Sequence, residues 1–292
     1  MIVLLAVLVT VVLLGHRLIP AGGIVETFLP WVGLAIPMLA LFAWRRRPAV
    51  NLPAVLLPLI AWSVLFAPAL MPDDKSHDLI AVQHNTSDEN PDPTGTVREL
   101  LRVSPDLVAL TEVLPQNLPT YDAAFGSAYP YRAAQGTVAL WSRHPLTADG
   151  PLDIRPAAFG PDWNRGLRAV ARTPHGDVAV YVAHLPSVRM GLSGFATDPR
   201  DESAAKLGAA LKAEPLTQVL LLGDLNATLH DRGLRPVTSR LDTAPAFAFS
   251  WPAKAPVARI DQILARGLTV TSLWSLPRTG SDHLPIAARV RF

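Results

Sequence analysis

The chain has 292 residues, half of them hydrophobic, with a mean hydropathy of +0.27, a formal net charge of +2, a pI near 9.1 and no cysteine. Disulfides are excluded, and the composition is greasier than that of a soluble enzyme, with the excess at the front. Four basic residues (Arg17, Arg45, Arg46, Arg47) and one acidic residue, Glu26, precede Met71; removing them from totals of 26 and 24 leaves 22 and 23, so the remainder carries a net charge near −1 and its net charge gives no basic footprint for duplex DNA.

In chain order, Met1 to Gly15 is an apolar run, Ala21 to Trp44 is a second broken by Glu26 and Thr27, and Ala49 to Leu70 is a third. Each approaches or reaches the roughly 20 residues that cross a bilayer as a helix, so three transmembrane helices are predicted over residues 1–70. The first run lacks the basic n-region of a signal peptide and is short for a span, as it would be if the chain began upstream of Met1. Pro30, Pro37, Pro53 and Pro58 fall in the later runs, where membrane helices tolerate them. The Arg45-Arg46-Arg47 cluster holds the loop between the second and third helices in the cytoplasm, outweighing His16 and Arg17. The chain after Leu70 therefore emerges outside. The expected organisation is a multi-pass anchor in the cell membrane (1–70), a short linker (71–75) and an extracytoplasmic domain (76–292).

Within that domain, Leu79 to His84 reads as a strand closed by Asn85, and Asp88 to Gly95 as a loop. Val97 to Val103 has helical spacing and is broken by Ser104-Pro105-Asp106 before the strand Leu107 to Thr111, which is followed by Glu112. Short strands are predicted over Gly136 to Trp141, Leu167 to Arg172 and Val178 to Ala183, with Pro174-His175-Gly176 as a hairpin turn and His184 at the last strand's end. Ser203 to Lys212 reads as a helix. Then come the buried strand Val219 to Leu222 with Gly223-Asp224-Leu225-Asn226, the stretch Arg259 to Leu264 carrying Asp261, and Ser281 to Ile286 carrying Asp282 and His283. If strand geometry persists past Gly223, Asp224 and Asn226 point the same way. By itself Gly-Asp-x-Asn is also a turn sequence.

Six apolar stretches that each carry or end in Asn, Asp, Glu or His, in this order, resemble the endonuclease/exonuclease/phosphatase superfamily of metal-dependent phosphohydrolases over roughly Ser76 to Phe292. The elements alone support a mixed α and β domain. The resemblance implies a four-layer α/β/β/α sandwich, DNase I-like. It also implies roles: Glu112 as principal metal ligand with Asn85 assisting, and Asp282 at a second or shared metal position. Asp224 and Asn226 would orient the attacking water and hold phosphate, Asp261 would orient His283 as base or phosphate clamp, and His184 would contact phosphate or protonate the leaving group. Asn85, His184, Asn226 and His283 would line the phosphate. The oxygen-rich set suits Mg²⁺, with Mn²⁺ as an alternative, and the lack of a histidine pair at zinc-protease spacing argues against Zn²⁺. His84, His144, His175 and His230 lie outside the motif positions and read as structural or surface residues.

In overall plan the chain is similar to VanJ-type teicoplanin-resistance membrane proteins. That likeness implies a lipid-linked substrate at the membrane surface, such as undecaprenyl diphosphate, in cell-wall precursor recycling and glycopeptide resistance. The rival within enzymes is a phosphodiesterase or nuclease, for which Arg132, Arg165 and Arg168 are the cationic candidates. A rival of another class is an inactive membrane-anchored binding module. No protein partner is inferred.

Overall fold

The computed structural model describes residues 1–19, 22–191 and 194–292, and the chain divides into two compact units. One comprises Met1–Pro72 with Met190–Phe195 and His230–Arg232; the other comprises Asp73–Arg189, Ala196–Leu229 and Gly233–Phe292.

The first unit is helical: α1 (Ile2–Gly15), α2 (Gly22–Thr27), α3 (Ala35–Arg45) and α4 (Pro48–Phe66). The expectation of three spanning helices is corrected here. Among the described residues only Pro48–Leu70 is long and apolar enough to cross a bilayer, while Ile2–Leu18 and Leu29–Arg45 are shorter. At 1.5 Å per residue, α3 rises only about 17 Å against a hydrocarbon core of about 30 Å. The second apolar run, whose first residue Ala21 lies outside the described residues, is cut by the tight 3₁₀ turn Leu29–Leu34, with Pro30 near its start. Pro53 and Pro58 sit inside α4 without ending it. The helices share a small core of Ile2, Ala6, Ile36, Leu39, Ala43 and Val55. Much of their remaining apolar surface faces outward, including Leu14, Trp44, Ile60 and Val64. The buried carboxylate of Glu26 is paired with Arg232, whose Nε lies 3.2 Å from Glu26 Oε1.

The second unit contains two sheets. In chain order its elements are β1 (Leu79–Asn85), α5 (Pro93–Leu100), β2 (Leu107–Thr111), α6 (Leu118–Phe125), β3 (Tyr131–Gln135), β4 (Val138–Ser142), β5 (Leu146–Pro151), β6 (Gly166–Thr173) and β7 (Gly176–His184). After the ribbon β8 (Arg189–Gly191) and β9 (Gly194–Ala196) come α7 (Asp198–Ala213), β10 (Val219–Asp224), α8 (Arg235–Thr238), β11 (Asp261–Arg266), β12 (Thr269–Ser275) and β13 (Ile286–Arg291). One sheet runs β12-β13-β1-β2-β4-β3 and the other β11-β10-β7-β6-β5. Each has one parallel pair at its middle, β1 with β2 and β10 with β7.

Strand alternation explains the layers. Leu79, Ala81, Leu107, Ala109, Val180, Val182, Leu220, Leu222 and Ile263 share the core between the sheets. The intervening residues face helices: Val82, Val108 and Leu110 meet Val97, Leu100, Tyr121 and Phe125 of α5 and α6. On the other side, Ala179, Tyr181 and Leu221 meet Ala204, Leu207, Leu211 and Val237 of α7 and α8. This is the four-layer α/β/β/α sandwich.

Candidate active site

The inward-facing positions that are apolar through the middle of the sheets turn polar at one end. Counting by twos along β1 from Leu79 and Ala81 gives Gln83 and Asn85; along β7, Val180 and Val182 give His184; along β10, Leu220 and Leu222 give Asp224. Register then assembles them. Asp224 is paired with His184 on one side and Asp261 on the other, and Asn85 is paired with Thr111, the residue before Glu112. Gly223 is needed because a Cβ there would lie 2.0 Å from Ala183 O on the adjoining strand.

Across the sandwich, Asn85 Nδ2 donates to Asp224 Oδ2 at 2.9 Å and Gln83 Nε2 to Asp261 Oδ1 at 3.3 Å. Strand geometry does not persist past Asp224. Asn226 adopts a left-handed φ of 48°, and its backbone N–H turns back to Asp224 Oδ1 at 2.9 Å. The two side chains are thus joined by a turn and not by alternation, while Asn226 Nδ2 donates to Leu185 O at 2.9 Å. Glu112 is left-handed as well, with φ 59°, a conformation costing on the order of 1–3 kcal/mol in a residue with a side chain.

His283 lies in the segment before β13, not on a strand, and its Nδ1 donates to Asp261 Oδ2 at 2.7 Å. Ser250 Oγ accepts the Asp261 N–H, and Ser281 Oγ accepts the His283 N–H at 3.0 Å while donating to Asn85 O at 2.7 Å. Nε2 of His283 faces Asp224 Oδ2 at 3.9 Å, and Nε2 of His184 faces the same oxygen at 3.7 Å. Arg165 Nη1 lies 3.2 Å from His184 Nδ1 and 3.5 Å from its Nε2, and that Nε2 stands 3.7 Å from Glu112 Oε1.

Burial and charge set the protonation states. Burial alone would depress His283, but the carboxylates of Asp261 and then Asp224 override it and push its pKa up to about 10. Burial, reinforced by the Asp261 carboxylate, holds Asp224 above the usual carboxylate range. Burial also opposes ionisation of Asp261, yet the adjacent His283 imidazolium keeps it below that range. His184 is driven well below the ordinary histidine value by burial and by Arg165. The site therefore holds a neutral imidazole, an imidazolium and a carboxylate ready to take up a proton.

Asp224, Asp261 and His283 bring ligand-capable atoms within 4.8 Å of one another. Both Asp224 oxygens and both Asp261 oxygens already accept hydrogen bonds, so this trio is better described as a hydrogen-bonded relay than as a cation cage. Glu112 differs: its side chain is 27 % exposed, and among the described residues no hydrogen bond reaches its carboxylate. A carboxylate that accepts no hydrogen bond, following the residue that pairs with Asn85 in the sheet, suits a hard, oxygen-seeking divalent cation. Asp282 is exposed and stands outside the buried cluster. Of the histidines outside the motif, His84 is buried against Thr279, His144 lies beside Asp106, His175 stacks on Phe292, and His230 packs on Phe66 and His16.

Gln83, Ser250, Ser281 and the link from Arg165 to His184 were not anticipated as parts of the site. Gln83 had a signal, a polar residue at the same strand parity as Asn85. The others had none, because their contacts cross between distant segments. Of the remaining cationic candidates, Arg132 pairs with Asp122 at 3.1 Å and Arg168 with Glu214 at 3.0 Å.

Comparison with known proteins agrees with the fold. Sphingomyelinase C from Streptomyces griseocarneus is 20 % identical, with a TM-score of 0.55 over 75 % of this chain and 99 % of that one. A Staphylococcus aureus beta toxin variant with bound magnesium ions is 16 % identical (TM-score 0.57, 73 % and 99 % covered). A mannosyl-6-phosphatase from Bacteroides thetaiotaomicron is 15 % identical (TM-score 0.60, 74 % and 100 % covered). No curated protein sequence matches. At these identities the likenesses establish the fold, and the family model for the Endonuclease/Exonuclease/phosphatase family matches residues 71–283. The chain belongs to the endonuclease/exonuclease/phosphatase family, the enzymes that hydrolyse phosphoester bonds.

Proposed function

We propose that this phosphoester hydrolase depends on a divalent metal, with Mg²⁺ as first choice and Mn²⁺ as alternative, and releases phosphate from a lipid-linked diphosphate such as undecaprenyl diphosphate. Glu112 and Asn85 would hold the cation, which would neutralise charge on the phosphoryl oxygens. Asp224 takes the proton of the attacking water, a task suited to a buried carboxylate of raised pKa flanked by His283. Protonated His283, oriented by Asp261, clamps a phosphoryl oxygen. His184 hydrogen-bonds the phosphate or the departing oxygen, and Asn226 positions the phosphate. Water attacks phosphorus, the bond to the bridging oxygen breaks, and that oxygen leaves with the remaining phosphate.

The observation that carries the lipid substrate is the outward apolar surface of the helical unit, most of which directly precedes the hydrolase unit in the chain. With α4 as the crossing helix, Arg45–Arg47 at its N-terminal end favour the cytoplasm and put the hydrolase unit outside. A role in cell-wall precursor recycling and glycopeptide resistance, as in VanJ-type proteins, is the biological setting of this proposal, and it draws on the apolar N-terminal region and not on a three-helix anchor. The nuclease or phosphodiesterase reading draws on Arg165 alone, since Arg132 and Arg168 are committed to carboxylates.

The test is phosphate release from undecaprenyl diphosphate by full-length protein in detergent with Mg²⁺, beside DNA and a generic phosphodiester. Release from the lipid, abolished by EDTA and lowered at least about a thousandfold by Asp224→Ala, is the expected outcome. Cleavage of DNA or diester with the lipid intact would move the assignment to the rival. Binding with no turnover of any substrate would favour the inactive module.

A further inference from the structure

The buried face of α7 comprises Arg200, Ser203, Ala204, Leu207, Gly208 and Leu211. Those intervals of three and four are the stripe by which an amphipathic helix packs on its sheet. Arg200 holds the first place in the stripe with 2 % exposure, where an aliphatic side chain would carry no desolvation cost. Its contacts account for the choice. Nη1 donates to the carbonyl oxygen of Asn226 at 3.2 Å, and Nε donates to Asp201 Oδ1 at 2.6 Å. Asp201 is steadied in turn by the Thr197 hydroxyl at 3.0 Å. Gly233 closes over the pair: a Cβ there would lie 2.0 Å from Asp201 Oδ1 and 3.0 Å from Arg200 Nη2.

Asn226 is held in its left-handed conformation from three directions: its N–H by Asp224, its Nδ2 by Leu185 O and its carbonyl by Arg200. The first two bonds arise at the ends of β10 and β7. The third reaches in from the helical layer and fixes the peptide plane that follows Asn226.

We propose that Arg200 is a positioning residue for Asn226, holding the Asp224–Asn226 turn in the shape the phosphate requires. This rests on the reading of Asn226 as a phosphate-positioning residue. A rigid guanidinium fork can bridge Asp201 and the Asn226 carbonyl together; a lysine offers a point charge at one of them.

Full-length Arg200→Lys, Arg200→Met, Asn226→Ala and the Arg200→Met/Asn226→Ala double variant separate positioning from folding. In the first arm, exchange of the Asn226 backbone N–H is followed by NMR. It is expected to speed up about tenfold in Arg200→Met and Arg200→Lys, with β-strand amides in the sheet cores unchanged. In the second arm, kcat/KM is measured on the phosphoester that the wild type turns over best. Each single change is expected to lower it about 10- to 100-fold, with the double variant no worse than Asn226→Ala alone. Additive effects, or Asn226 exchange unaltered by loss of Arg200, would overturn the proposal. A wild type that hydrolyses no phosphoester would sink the functional reading, and the exchange arm would still decide whether Arg200 holds the turn.

Discussion

Leu222 in the hydrolase unit is wholly buried, whereas Leu56 on α4 is 53 % exposed, and the contrast runs through both units. Among the described residues, the hydrolase unit exposes only two large hydrophobic side chains, Tyr131 and Trp251; all others so exposed lie at or before Met71. Similar aliphatic side chains therefore do opposite work. In the sandwich they face one another across a closed core and hold two strand ends in register. In the helical unit they leave most of their surface without a protein neighbour, so an apolar surrounding is what would satisfy them.

The sharpest way to break the comparison is one substitution made twice. Leu222→Ala is expected to destabilise the hydrolase unit by about 2–5 kcal/mol. Leu56→Ala should change the stability of the same detergent-solubilised protein by less than about 0.5 kcal/mol. Chemical denaturation followed by tryptophan fluorescence measures both. Equal losses would mean that the surface of α4 is covered in the solubilised protein.

Next in size is the effect of a cation. Mg²⁺ at a hundred times its Kd should stabilise the wild-type hydrolase unit by about 2.7 kcal/mol, read as a rise in Tm reversed by EDTA. Glu112→Gln should lose most of that rise, whereas Asp282→Asn, on an exposed residue, should keep it. The converse result would transfer the principal ligand to Asp282.

A smaller effect is expected from pH, measured in EDTA. His283 is raised above its unfolded value, chiefly by Asp261 against the cost of burial, so the stability from that pairing is fully present below about pH 6.5. It is lost as pH rises through about 10. His283→Gln should flatten that alkaline decline, and an unchanged decline would assign it to another group. The smallest effect belongs to Arg132→Ala. Its pair with Asp122 is 40 % and 42 % exposed on the two sides, so stability should move by no more than about 1 kcal/mol and phosphate release hardly at all. A large loss of activity would restore Arg132 to the site and favour the nuclease reading.

Which residues were legible follows from how each is placed. Asn85, Glu112, His184 and Asp224 each end or follow an apolar strand, so a polar stop after a β-type run marks them locally. Asp261 opens a strand and His283 lies in the segment before one, so neither is a polar stop after an apolar run, and both required the order of the whole set. Arg200 lies in Asp-Pro-Arg-Asp-Glu, which reads as a solvated helix start, and the helix was predicted only from Ser203. Its identity as a buried residue emerges when the stripe is extended back one turn. Asn226 was placed by strand alternation, but an Asx-type bond to Asp224 took over where the strand ended. The three apolar runs were visible, yet hydropathy along the chain does not register the turn at Leu29–Leu34 that shortens the middle helix.

By itself, the sequence determined the elements and their chemical endings, because hydrophobic periodicity and polar stops are local properties of the chain. It also determined that the first seventy residues are apolar beyond what a soluble enzyme needs. Only the tertiary structure decided that Asp224 faces His184, Asp261, His283 and Asn85 together, and that Asp261 is already saturated while Glu112 is open. Only it decided that a buried arginine stands behind Asn226. Those are consequences of register and of the packing of one sheet on another, which bring together residues as far apart as Gln83 and Asp261, 178 positions, and Asn85 and Ser281, 196 positions.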